Sequence, residues 1–192
     1  MKLLRVLPSA RQLLAETVLP GEIVVDATAG NGYDSLFLAE HVGEQGHVYA
    51  FDIQQAALTS TAKRLGELTK RVSLILDSHE NVDQYVTTEI AGAMFNLGYL
   101  PSGEDLSIVT QPESTIKAIH KLLNMLKVGG IITIIVYSGH TGGAHEREAL
   151  LNYVYTLHQS DVQVIKYELL NQQNNPPFLI AIEKMATFKE LK

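Results

Sequence analysis

Residues 23–38 read I-V-V-D-A-T-A-G-N-G-Y-D-S-L-F-L, and this stretch limits what the chain can become more than any other. Three apolar residues lead into Asp26, small residues with Gly30 and Gly32 follow, and apolar residues then return at helical spacing. That order is a buried strand, a tight glycine-rich turn and the first turn of a helix. Lacking a Cβ, Gly30 and Gly32 let the backbone turn sharply and let a ligand lie directly against it. The unpaired N–H groups opening the helix near residues 33–35 can face a polar or anionic group. A second short strand, 47–52 (H-V-Y-A-F-D), ends in Asp52, twenty positions after Gly32. A carboxylate there can accept both hydroxyls of a ribose, as in nucleotide-binding βαβ units.

Two ligand classes share this layout, and Asp26 separates them. Nicotinamide-binding turns usually read G-x-G-x-x-G. Here the third glycine position is Ser35, and a carboxylate closes the strand four residues before Gly30. D-A-T-A-G-N-G resembles motif I of the class I S-adenosylmethionine (SAM) methyltransferases, whose turn cradles the methionine end of the cofactor. The resemblance implies Asp26 near the cofactor's amino group and Asp52 on the ribose hydroxyls. Thr28, Gly30, Asn31, Gly32, Asp34 and Gln54 join them as expected cofactor-binding residues.

The 192 residues suit one α/β domain, expected over 1–185 with a loose tail at 186–192. An apolar content of 46% against 19% charged residues describes a globular chain. There is no cysteine, so disulfides and thiolate metal sites are excluded. Arg5, Pro8 and Arg11 interrupt the apolar N-terminus, leaving no signal-peptide core, and no stretch is long enough to span a bilayer. A soluble cytoplasmic protein is expected. The formal charge of −6 gives no global basic footprint for nucleic acid, although a local patch can still bind RNA. Lys63, Arg64, Lys70 and Arg71 read as ordinary surface charges, whereas Lys2, Arg5 and Arg11 are candidates for phosphate contacts.

Taken in order, Ser9 is expected to cap a first helix ending before Pro20. Strands are expected at 23–27, 47–52, 72–76, 90–96, 131–136, 162–170 and 178–183. Helices are expected at 33–42, 54–68, 112–126 and 144–157, with a short helical turn at 81–86 and Gly129-Gly130 ending the helix before strand five. Alternating strands and helices argue a mostly parallel sheet of seven strands with helices on both faces. The last two strands lack an intervening helix and must form an antiparallel hairpin. This Rossmann-like arrangement resembles the way class I methyltransferases finish.

In such sheets a ligand sits outside the carboxyl ends of the strands. After strand three stand Asp77, Ser78 and His79, expected near an adenine, with a turn cap as the other role open to Asp77. After strand four comes N-L-G-Y-L-P, residues 96–101, which resembles the N/D-P-P-Y motif of amino-methyltransferases with both central positions changed. That resemblance implies Asn96 orienting a target amine, beside the cofactor as well, and Tyr99 stacking on the target. After strand five comes Y-S-G-H-T-G-G, residues 137–143. A primary alkylamine must lose a proton before its nitrogen can attack, and His140 is the expected acceptor, helped by Tyr137 or Tyr99.

D-A-T-A-G-N-G-x-D, D-S-H, F-N-L-G-Y-L-P and Y-S-G-H-x-G-G together resemble the small bacterial MnmM (YtqB-like) methyltransferases, over residues 1–185. Membership implies SAM as cofactor and N-methylation of 5-aminomethyl-2-thiouridine at tRNA wobble position 34. It also implies a homodimer, with the anticodon stem-loop as partner. Arg5, Arg11, Tyr99 and Asn175 are then the expected RNA contacts. No metal is expected, since the histidines show no i, i+4 ligand pair. The competing readings are a methyltransferase of rRNA or of a small amine, an NAD-dependent oxidoreductase, and a silent RNA-binding module.

Overall fold

The structure is a computed structural model, and it describes residues 3–98, 110–137, 143–173 and 175–188. Lys2, Tyr99 and His140 therefore lie outside the described residues, as do the last four positions of the expected tail. Seven strands form one sheet: β1 (Ile23–Asp26), β2 (His47–Asp52), β3 (Val72–Leu76), β4 (Ile90–Asn96), β5 (Leu126–Val136), β6 (Val162–Tyr167) and β7 (Phe178–Lys184). Their order is β3-β2-β1-β4-β5-β7-β6, parallel throughout except that β7 runs antiparallel to both its neighbours. This is the Rossmann-like sheet with its antiparallel hairpin.

Alternate residues of the central strands bury on opposite faces, which is why these strands read as unbroken apolar runs. In β5, Ile132, Ile134 and Val136 join one core, and Ile131 and Ile135 join the other. The first core holds α4 (Pro112–Met125) and α5 (Gly143–Thr156) through Ala118, Ile119, Leu122 and Leu150. The second holds α1 (Val6–Thr17), α2 (Tyr33–Val42) and α3 (Gln55–Leu65) through Ala10, Leu14, Leu38 and Leu58. Helix α1 lies so close to β4 that a Cβ at Gly92 would come within 2.8 Å of Leu14 Cδ2. Among the described residues no helix is long and apolar enough to cross a membrane.

Several boundaries differ from expectation for identifiable reasons. Helix α1 starts at Val6 with Arg5 at its N-cap, and the Ser9 hydroxyl donates back to the Arg5 carbonyl at 3.0 Å instead of capping. Pro8 then falls in the first turn, where its missing N–H would have had no helical partner. Strand β5 starts at Leu126, directly after α4, so Gly129 and Gly130 lie inside the strand. The pairing jumps from Ile90–Leu126 to Gly92–Ile131, which bulges residues 127–130 out of the ladder and makes 131 look like the start. Lys184 Nζ donates to the carbonyls of Asn124 and Leu126, satisfying the end of α4. Strand β6 stops at Tyr167, three residues short of expectation. Phe188, expected in a loose tail, is only 8% exposed and packs edge-on against His120.

Candidate functional site

The carboxyl ends of β1 to β5 open into one cavity of about 730 Å³. That size suits a cofactor or drug-sized ligand. Of the residues expected to bind a cofactor, Thr28, Gly30, Asn31, Asp34, Asp52, Gln54, Asp77, Ser78, His79 and Asn96 line it.

Asp26 and Gly32 do not, and each has a physical reason. Asp26 is fully buried behind the turn. It accepts the Ser35 hydroxyl at 2.6 Å and the Thr28 N–H at 3.1 Å. Burial, with Asp34 adding to it, pushes its carboxyl up to about 7. It braces the turn from beneath. Gly32 has φ +79, and a Cβ there would lie 2.7 Å from Thr61 Cα, so this glycine is a contact between the turn and α3.

Asp52 latches the turn to the neighbouring strand. Its Oδ2 accepts the Gly30 N–H at 2.9 Å and its Oδ1 the Gln54 N–H at 2.9 Å. Each oxygen keeps a lone pair for a further donor, as a pair of vicinal hydroxyls would need. Burial raises this carboxyl, against the N–H groups that favour its charged form. On the opposite rim Asp77 accepts from Ser78 N–H, Asn81 and Tyr85, which makes it a turn cap as well as a wall residue. The hydrogen bonds from Asn81 and Tyr85 hold its carboxyl below the usual range.

His79 is not a surface residue, being 8% exposed. Its Nδ1 lies 3.0 Å from the Ala27 carbonyl, which can only accept, so Nδ1 carries the proton and Nε2 is an acceptor. Burial lowers its pKa and keeps the ring neutral. Nε2 is buried without a partner among the described residues, on a side chain of the cavity wall. Nε2 is closed off from the cavity itself, and Phe51 and Ile53 are the apolar side chains that an adenine ring would meet there.

At the end of β4, the Asn96 N–H donates to Thr28 Oγ1 at 2.7 Å, and Asn96 Nδ2 donates to Asp34 Oδ2 at 3.2 Å. Arg11 donates to the other Asp34 oxygen through Nε at 3.0 Å and Nη2 at 2.6 Å. Tyr137 shares this wall, and burial, then Asp34, raise its pKa, so it is a neutral phenol and a donor. Arg5 is exposed at the N-cap of α1. Asn175, at φ 49, lines a separate groove with Arg147 and Tyr155 and is not on the main cavity.

Sequence reasoning missed the contribution of the segment entering α4. Thr110, Gln111, Ser114 and Lys117 close one side of the cavity. The available signal was Pro112, which sits at the start of that helix and aims its first turn at the site. Arg64, read as a plain surface charge, donates to the Asn31 carbonyl at 2.6 Å and lies 3.5 Å above the Tyr33 ring, stiffening the rim.

The sheet order and this cavity define a class I, SAM-dependent methyltransferase. Known proteins agree. A family model described as "Putative rRNA methylase" matches residues 48–183, and the chain belongs to that family. The chain is 33% identical over 181 residues to the "tRNA (mnm(5)s(2)U34)-methyltransferase, chloroplastic" of Arabidopsis thaliana, covering 88% of this chain. It spans 66% of that relative's length. A crystal structure from Clostridium thermocellum, described as a "putative rRNA-methylase", superimposes with a TM-score of 0.94 at 43% identity. That match covers 96% of this chain and 100% of the other. A "putative methyltransferase" from Streptococcus mutans in complex with SAH matches with a TM-score of 0.87 at 43% identity, over 95% of this chain and 99% of that one.

Proposed function

We propose that this protein methylates the primary amine of 5-aminomethyl-2-thiouridine at wobble position 34 of tRNA, giving 5-methylaminomethyl-2-thiouridine. The observation that carries the reading is the place of Asn96. It stands on the wall of the cavity bounded by the Gly30 turn and Asp52, with its backbone held by Thr28. The name of the Arabidopsis relative supports the same substrate.

SAM, when bound, supplies a sulfonium methyl group, which the lone pair of the amine takes to leave SAH. Asp52 is placed to hold hydroxyls, and Phe51 and Ile53 give apolar walls. The amine arrives largely as an ammonium ion and must give up a proton before it can react. Tyr137, held protonated, serves as a donor in this reading, and His140 as the acceptor. Tyr99 is the surface on which the splayed wobble base stacks. Arg5 is left as the phosphate contact, because Arg11 is committed to Asp34.

The test is mass spectrometry of nucleosides from undermodified tRNA incubated with the protein and SAM. The expected result is one added methyl on 5-aminomethyl-2-thiouridine, lost in Asn96→Ala. No change in any tRNA nucleoside, together with methyl transfer to rRNA in a parallel incubation, would move the substrate to rRNA.

A further inference from the structure

We infer that Asp34 and Arg11 are positioning residues that fix the carboxamide of Asn96 in the one orientation able to accept a hydrogen bond from the substrate amine. This rests on the amine-methylation reading above and adds to it a role for two residues on helices α1 and α2.

An asparagine amide presents an acceptor on one side and donors on the other, with nearly the same shape. Which side faces the substrate decides whether the residue can orient an amine. Asp34 Oδ2 lies 3.2 Å from one arm of the Asn96 amide. A carboxylate only accepts, so the amide nitrogen must be the arm that faces it. The reverse orientation would set a carbonyl oxygen against an anion. Oδ1 is thereby freed, with no partner among the described residues, on a side chain that lines the cavity.

The carboxylate is itself held. Two donors of the Arg11 fork converge on Oδ1, at 3.0 and 2.6 Å. The Asp34 side chain is 6% exposed and that of Arg11 30%. The Arg11 guanidinium also lies 5.4 Å from the Phe37 ring centre, packed on the same helix as Asp34. Asp34 occupies the first turn of α2, where the helix dipole favours an anion. The Asn96 backbone is fixed separately by Thr28 Oγ1. With the backbone held, the side chain still has two ways to present its amide, and Asp34 selects between them.

Two measurements decide the matter. In wild-type protein, the Asn96 side-chain amide signal, assigned by its loss in Asn96→Ala, should show one proton shifted downfield by the carboxylate. In Asp34→Asn that shift should collapse, and in Arg11→Ala it should shrink, while thermal melting shows the variants folded. In kinetics, Asp34→Asn should lower kcat about 10- to 100-fold, as a misplaced reactant does. Its affinity for tRNA should stay within about twofold. Arg11→Lys should recover part of what Arg11→Ala loses. An amide signal unchanged in both variants overturns the inference. So does a loss of SAM affinity matching the loss of rate in Asp34→Asn, or weaker tRNA binding at unchanged kcat in Arg11→Ala. A wild-type enzyme inactive on the amine overturns the function reading instead, and the amide signal still decides whether Asp34 orients Asn96.

Discussion

Asp26 shows at the scale of one residue how burial changes a role. Its folded pKa, about 7, stands above the ordinary 3.8, so between these values the folded state holds a proton that the unfolded chain releases. The stability from this group is fully present below about pH 4 and is lost as the pH rises through 7. Asp26→Asn keeps the shape and removes the titration. The expected outcome is a wild-type melting temperature that falls relative to Asp26→Asn between about pH 4 and 7. Parallel curves would show that the carboxyl is not held up. Sequence reading found Asp26, Asp52 and Asn96 because each ends a strand, and strand ends are legible from apolar runs. It set Asp26 in the cavity because a strand end does not reveal what lies above it; Ser35, nine residues on, covers it. The ion pair of Arg11 with Asp34 was not legible either, since the partner is 23 residues away and known only once α1 and α2 are packed.

Among the elements, α1 depends most on long-range fit. Its apolar spacing was visible, but its start was not, because the Ser9 hydroxyl can close on its own helix as readily as cap it. The seat of α1 on β4 is Gly92, whose missing side chain leaves room for Leu14. Leu14→Ala should destabilise by about 2–5 kcal/mol through the cavity it leaves, and Gly92→Ala by about 1–3 kcal/mol through overpacking. The double variant should be markedly less destabilised than their sum, because the added methyl fills space the leucine vacated. Urea titrations of the four proteins give the coupling directly. Strict additivity would mean that the two side chains do not share that space. Strand β5 makes a related point: its bulged start carries Val128 and Gly129 to the surface, so the periodicity of a buried strand was absent there.

Over the whole molecule, the alternation of strands and helices made the parallel sheet and its closing hairpin readable before any coordinates. What alternation cannot reveal is that Thr110 and Gln111, just before α4, line the cavity, since such a wall leaves no period in the sequence. Nor does it show how the two cores unite the chain. The two faces of β7 meet different helices, with Ile180 and Ile182 in one core and Leu179 and Ala181 in the other.

Strand β7 is inserted between β5 and β6 although it follows both in the chain. The ribosome therefore releases β6 before there is anything in the sheet for it to pair with. Until β7 emerges, the nascent chain displays one unpaired edge along β5 and a detached strand whose neighbour has not yet been made. A chain stopped after Leu170 should lack the joint of its sheet and not merely its margin. Its cleavage by protease should be rapid along the whole length, rather than confined to the new end. A protected core in such a chain would mean that β1 to β5 close by themselves. On the arrangement described, completion of this sheet waits for β7 instead of keeping pace with the order in which its strands are made.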